Sequence, residues 1–182
     1  MTIQQSDQKL GELILYISER SASDFYYGST KLNKILYFSD FLAYKNWDEP
    51  ITGAEYFHLP QGPAPRRLLP VRKGLIQSGD LQLQVVEFPG GTVQHKPVNL
   101  RQANLDLFKA RDISLVDKVI ETLRGLSATQ VSDFSHLDVG WQITKEHETI
   151  PYAMAFLSSQ ELSAPEKRRA EEIVREEQGA VA

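Results

Sequence analysis

The spacing of apolar residues predicts two helices at the start of the chain. In the first, over residues 6–19, leucine and isoleucine recur at the i, i+3, i+4, i+7 spacing of one buried stripe, and Ser6 or Asp7 is in position to cap it. The second begins at Ser29 or Thr30 and extends to about Tyr44. Its apolar surface is so wide that we expect it to be the central helix of the core.

The next part of the chain predicts an extended segment followed by a helix. The aromatic run Ala54–Leu59 is expected to form a strand or an extended edge. Proline is tolerated in the first turn of a helix, so Pro63 or Pro65 is expected to open a third helix. Pro70 lies inside the apolar pattern of that helix, which is therefore either kinked there or begins later.

The second half of the chain predicts a β-hairpin and several short helices. Apolar and polar residues alternate on both sides of a Pro-Gly-Gly turn, which indicates a hairpin over Leu81–Val98. The other expected elements are a helical or irregular segment over Leu100–Phe108, a helix over Ser114–Leu126 capped by Ser114, a short helix from Ser127 or Thr129 to His136, an extended or helical segment over Ile150–Leu157, and a last helix from Ser163 to about Glu177.

These elements predict a mainly helical α+β fold in a single domain, with about six helices around the segment Leu32–Leu42 and the hairpin on one side. A chain of 182 residues fits one domain, and its 41% hydrophobic content is enough for a sizeable core. We expect residues 1–160 to form the body of the domain, and residues 161–182 to be a charged helix and tail of the same domain.

The composition limits the cellular environments and the classes of partner that we expect for this chain. It contains no cysteine, which excludes disulfides and thiolate metal sites and suits a reducing cytosol. No apolar run approaches the ~18–20 residues of a membrane span, and the first residues lack the features of a signal peptide. We therefore predict a cytoplasmic protein without a membrane partner. The net charge of -4 argues against nucleic acid as a partner.

Motifs of catalysis, metal binding and phosphate binding are missing from the sequence. The four histidines are widely separated, without an HExxH motif, and no serine lies in a GxSxG elbow. Neither GxGxxG nor GxxxxGK occurs. His136, Asp138 and His147 would need the tertiary fold to bring them together. We therefore predict no enzymatic activity, no metal site and no cofactor.

Two charged segments remain open to alternative interpretations. Four basic residues, at positions 66, 67, 72 and 73, form either a solvated face or a surface for an anionic partner. The run EKRRAEEIVREE at 166–177 leaves a narrow apolar stripe of Ala170, Ile173 and Val174. That stripe either docks the last helix on the domain or meets a partner.

Four segments, taken in order, resemble the SocA-like antitoxin domain, also called the Panacea domain. They are KLNKILYF at 31–38, EYF at 55–57 with QGP at 61–63, a Leu-Ser to Ser-His stretch at 126–136 that leads to Trp141, and TIPY at 149–152. No single motif is specific to the family. The order and spacing of the four segments carry the resemblance, which spans about residues 10–157.

The resemblance implies an antitoxin that neutralises a cognate toxin by binding it directly. One branch of this family acts as an adaptor that delivers its toxin to a Clp-type protease. The partner-binding residues suggested by the motif segments and the adjoining basic cluster are Tyr56, Gly62, Pro63, Arg66, Arg67, His136 and Trp141. The alternative is a DNA-binding transcriptional regulator, for which the helix pair over 114–136 is the candidate helix-turn-helix, although its second helix lacks basic residues.

Overall fold

The computed structural model describes residues 3–88 and 90–157, and within them it confirms the α+β class. A bundle of helices packs around one central helix, with a small three-stranded sheet and a separate β-hairpin beside it. The α-helices in the described residues are α1 (Asp7–Arg20), α2 (Ser29–Trp47), α3 (Leu68–Gln77), α4 (Ala110–Leu123), α5 (Ala128–His136) and α6 (Val139–Ile143).

Helix α2 lies at the centre of the core, as its sequence predicts. It packs against α1, α4 and α5 and against the segment that closes the described chain. Leu32, Leu36 and Tyr37 are fully buried. Two lysines of the same helix, Lys31 and Lys34, are almost completely buried as well. An ammonium group is expensive to bury without a partner, so each of these lysines needs a specific explanation.

The three-stranded sheet joins segments that are far apart in sequence. Its antiparallel order is β2 (Ala64–Pro65), β1 (Tyr56–Phe57) and β5 (Thr149–Ile150). The prediction that Pro63 or Pro65 opens a helix is therefore wrong, because Pro65 is extended and pairs with Tyr56. Helix α3 begins only at Leu68, so Pro70 falls in its first turn, where the missing N–H has no helical partner to lose.

The hairpin consists of β3 (Leu81–Glu87) and β4 (Val93–Asn99), in good agreement with the predicted range. An ionic contact secures it to the helices. Arg101, just beyond β4, pairs with Glu12 of α1 and with Asp80 before β3. Hydrogen bonds from Arg101 lower the pKa of the Glu12 carboxyl below its usual value.

Two predictions in the second half of the chain need correction. Helix α4 begins at Ala110 rather than at Ser114, because the carboxylate of Asp112 accepts a hydrogen bond from the backbone N–H of Lys109 and closes the first turn there. Helix α6 was not predicted. Of the two predicted starts of α5, Ser127 is the correct one, since its hydroxyl accepts from the backbone N–H of Gln130.

A buried carboxylate links α2 to the sheet. Asp40 is fully buried and accepts hydrogen bonds from the backbone N–H of Thr52 at 2.7 Å and from the hydroxyl of Tyr56 at 2.8 Å. Burial raises the pKa of the Asp40 carboxyl above its usual value, although these donors oppose the rise. The bonds fix the position of β1 relative to the central helix.

The helix expected from Ser163 to about Glu177 lies outside the described residues, and so does the predicted segment 161–182. Within the described residues, no helix has the length and apolar character needed to cross a membrane.

Candidate functional site

Three aromatic rings from two separate parts of the chain form a stack at one side of the domain. The indole of Trp141 lies 4.0 Å from the ring of His136 and 4.3 Å from the ring of His58, measured between centroids. The planes are nearly parallel, at 17° and 20° respectively. Two imidazoles this close to one indole would overlap on a single face, so they lie on opposite faces and enclose the indole.

Hydrogen bonds fix the orientation of Trp141. Its indole N–H donates to the carbonyl of Leu59 at 3.0 Å. Its backbone N–H donates to the carboxylate of Asp138, which caps α6, and the same carboxylate oxygen accepts from the hydroxyl of Tyr37 on α2 at 2.7 Å. The stack is therefore attached both to the loop after β1 and to the central helix.

The loop beneath the stack is a tight turn that requires glycine. Gly62 has a φ of 91°, in the left-handed region that side chains rarely adopt. A Cβ atom there would lie 2.1 Å from the hydroxyl oxygen of Ser135 on α5 and 2.7 Å from the Cε of Lys34 on α2. Gly62 thus allows the turn to touch two helices at once, which explains the Gly-Pro segment physically.

Lys34 lies under this turn with little access to solvent. Its ammonium donates a hydrogen bond to the carbonyl of Pro63 at 3.1 Å. No carboxylate in the described part of the chain pairs with it, and burial lowers its pKa from 10.5 to about 7. At physiological pH, Lys34 is therefore a neutral amine in a considerable fraction of the molecules.

Lys31, one turn earlier, is buried in a different way. Its ammonium pairs with Asp24 at 2.7 Å, and both side chains are at most 5% exposed. The other carboxylate oxygen of Asp24 accepts a hydrogen bond from the backbone N–H of Tyr26. This ion pair fixes the loop between α1 and α2, so the two lysines of the KLNK segment have distinct environments.

The predicted partner-binding residues divide into two groups. His136, Trp141, Gly62 and Pro63 come together around the stack and the turn. Tyr56 is fully buried with its hydroxyl bound to Asp40, so its side chain belongs to the core and has no surface to offer a partner.

The two arginines of the predicted site lie outside the stack. Arg66 pairs with Glu55 and donates to the carbonyl of His147, and Arg67 pairs with Asp7. Both precede α3 and do not share a helical face with Lys73. Because nearby carboxylates neutralise them, Arg66 and Arg67 have the character of a solvated, ion-paired surface.

The sequence pattern did not indicate three important members of the site. His58 enters the stack from a loop 83 positions before Trp141, and Asp138 and Lys34 act through contacts that exist only in the fold. The one available signal for Lys34 was a lysine repeated at i, i+3 on a helix with a wide apolar surface. In the described residues, no group of three or more metal-ligating side chains comes together.

Two exposed apolar residues lie on the same short segment of the chain as His136 and Trp141. Leu137 is 66% exposed and Ile143 is 57% exposed, and both lie within a few residues of Trp141 along the chain. A rigid aromatic centre on a segment that also exposes apolar side chains has the composition of the core of a protein interface. The fold and this site together define a small α+β domain with a preformed aromatic surface.

The comparisons with known proteins identify the family. Residues 32–142, which are 111 of the 182 residues, match the family model described as antitoxin SocA-like, Panacea domain. The chain belongs to this family. The matched range contains most of α2, the Gly62 turn and the complete His58–Trp141–His136 stack. No curated protein and no solved structure matches the chain.

Proposed function

We propose that this protein is an antitoxin that neutralises a cognate toxin by binding it directly and that has no enzymatic activity of its own. Membership of the Panacea family is the observation that carries the proposal. The surface beside Trp141 supports it, because a preorganised aromatic centre loses little conformational entropy when a partner binds. Leu137 and Ile143 are the side chains most available for such a contact.

Protein binding accounts for the site better than DNA binding does. In the candidate helix-turn-helix, the second helix is α5, and its sequence ATQVSDFSH contains no lysine or arginine. Arg66 and Arg67 are already paired with carboxylates. A recognition helix normally places cationic side chains near the phosphates, and α5 has none to place.

The direct test is co-expression with the product of the adjacent gene. Expressed alone, that product should stop growth, and the present chain should restore growth and co-purify with it. If the product is harmless and no complex forms, the antitoxin proposal is wrong. A Clp-type adaptor role predicts in addition that toxin levels fall on co-expression and that the fall disappears in cells lacking the protease.

Substitutions test the position of the contact. We expect Ile143→Asp to abolish the restoration of growth, because a charge would enter the apolar surface beside Trp141. Leu100→Asp is the matched control, since Leu100 is 55% exposed against 57% for Ile143 and lies just after β4, outside the segment that carries His136 and Trp141. Loss of rescue in the control alone would place the contact elsewhere.

A further inference from the structure

An apolar groove opens between α2, α4 and α5. It has a volume of about 310 Å³, and the larger apolar side chains that line it include Phe38, Phe41, Leu42, Leu123, Phe134 and Leu157. Leu42, Phe134 and Leu157 remain 38%, 45% and 48% exposed. Exposed apolar side chains gathered in one concave place make this groove a candidate docking surface.

The end of the described chain lies in this groove. Tyr152 stacks on Phe41 of α2 with ring centroids 4.8 Å apart, and Phe156 contacts Tyr44 edge to face at 5.7 Å. These contacts hold the chain against α2 until Leu157, which itself lines the groove. The following residues therefore begin at the groove, and 25 of them remain before the end of the sequence at Ala182.

We propose that residues 163–177 of the same chain occupy the groove as an amphipathic helix, with Ala170, Ile173 and Val174 facing the apolar side chains. The three residues have the i, i+3, i+4 spacing of one helical stripe, and the surrounding residues are charged. The stripe is narrow. The proposal concerns the free protein and does not depend on a toxin.

The lengths of the connector and the helix allow the helix to reach the groove. Residues 158–162 can span at most about 17 Å when extended. In a helix that starts after Ser163, Ile173 lies about 15 Å along the axis, so a helix running back along the connector brings Ile173 close to Leu157 again.

The charges at the rim of the groove also favour this placement of residues 163–177. Lys45 lines the groove and has no carboxylate partner among the described residues. The segment carries Glu176 and Glu177 directly after the apolar stripe. A glutamate beside Lys45 would add a modest, salt-sensitive attraction to the apolar contact.

The natural absence of cysteine allows a clean test in the full chain. A nitroxide spin label on Gln178→Cys should broaden the amide signals of groove residues such as Leu42 and Phe134 until they lose most of their intensity. Signals of the β3–β4 hairpin serve as the internal reference and should not change. If the groove signals keep their intensity, the proposal is wrong.

Matched variants distinguish specific docking of the apolar stripe from a non-specific, transient contact. Ile173→Asp with Val174→Asp should abolish the broadening, whereas Arg168→Asp with Arg175→Asp, on the opposite face of the predicted helix, should preserve it. Leu42→Glu tests the groove side and should also abolish it. Equal broadening in the two double variants would overturn the proposal.

A mixing experiment identifies the molecule that supplies the segment. Spin-labelled chain without ¹⁵N is mixed with ¹⁵N-labelled chain that carries no spin label. The signals of the groove residues are expected to keep their intensity. Broadening in this mixture would mean that a second copy fills the groove, which would contradict the intramolecular proposal.

Discussion

The ammonium of Lys34 lies 3.1 Å from the carbonyl oxygen of Pro63, beneath a turn in which any Cβ on Gly62 would collide with the same lysine. This contact joins the central helix to the loop that positions Leu59, and Leu59 in turn accepts the indole hydrogen bond of Trp141. The stack therefore depends on a buried amine that a sequence pattern alone would place in solvent.

The shifted pKa of Lys34 predicts a pH dependence of stability. The pKa is about 7 in the fold against 10.5 ordinarily, so between these values the unfolded chain binds a proton that the folded chain does not. Stability must then rise with pH, by about 2 kcal/mol between pH 7 and pH 9. Burial raises the pKa of several tyrosines, including Tyr37 and Tyr56, so stability falls again only at higher pH.

Urea denaturation at a series of pH values measures this effect, with Lys34→Met as the comparison. The variant lacks the titrating group, so its stability should change much less than that of the natural chain over pH 7–9. A rise of equal size in both proteins would show that Lys34 keeps its proton in the fold.

Gly62→Ala should destabilise the domain far more than an ordinary glycine replacement. The new methyl group would meet Ser135 and Lys34 in addition to the strain of a positive φ, and we expect a loss of about 3 kcal/mol or more. Gly79 has a similar φ of 78° with no atom near its added Cβ, so Gly79→Ala should cost about 1 kcal/mol. Similar losses in the two variants would mean that close packing at the turn is not important.

The buried pair of Lys31 and Asp24 predicts a non-additive pair of substitutions. Lys31→Met leaves a buried carboxylate without its cation and should cost about 3–5 kcal/mol. Adding Asp24→Leu removes that carboxylate and should recover most of the loss, apart from the hydrogen bond from Tyr26. Additive losses in a double-mutant cycle would argue against coupling between the two residues.

Local periodicity was sufficient to predict much of the fold. Helices α1, α2 and α5 and the hairpin each carry their own pattern and caps, such as Ser6 and Ser127. The prediction failed at Pro65 because its conformation depends on pairing with Tyr56, a contact between segments. It failed at Ser114 because a less familiar cap, the backbone of Lys109 bound by Asp112, starts the helix one turn earlier.

The site was predicted in part, for a similar reason. His136 and Trp141 are close in sequence and were found with the family pattern, whereas His58 joins them only through the fold. Tyr56 lies in the same aromatic stretch but points into the core. Tyr56 and His58 are two positions apart, so the alternation of an extended segment would place both on the same side and cannot distinguish them.

Binding of the purified toxin is the most direct test of the central claim. Titration calorimetry with the adjacent gene product should show a specific complex with the natural chain and with Leu100→Asp. Ile143→Asp should weaken it at least about tenfold, the effect expected when a charge enters the core of an interface. Absence of binding by the natural chain would contradict the antitoxin account, and unchanged binding by Ile143→Asp would contradict the assignment of the surface beside Trp141.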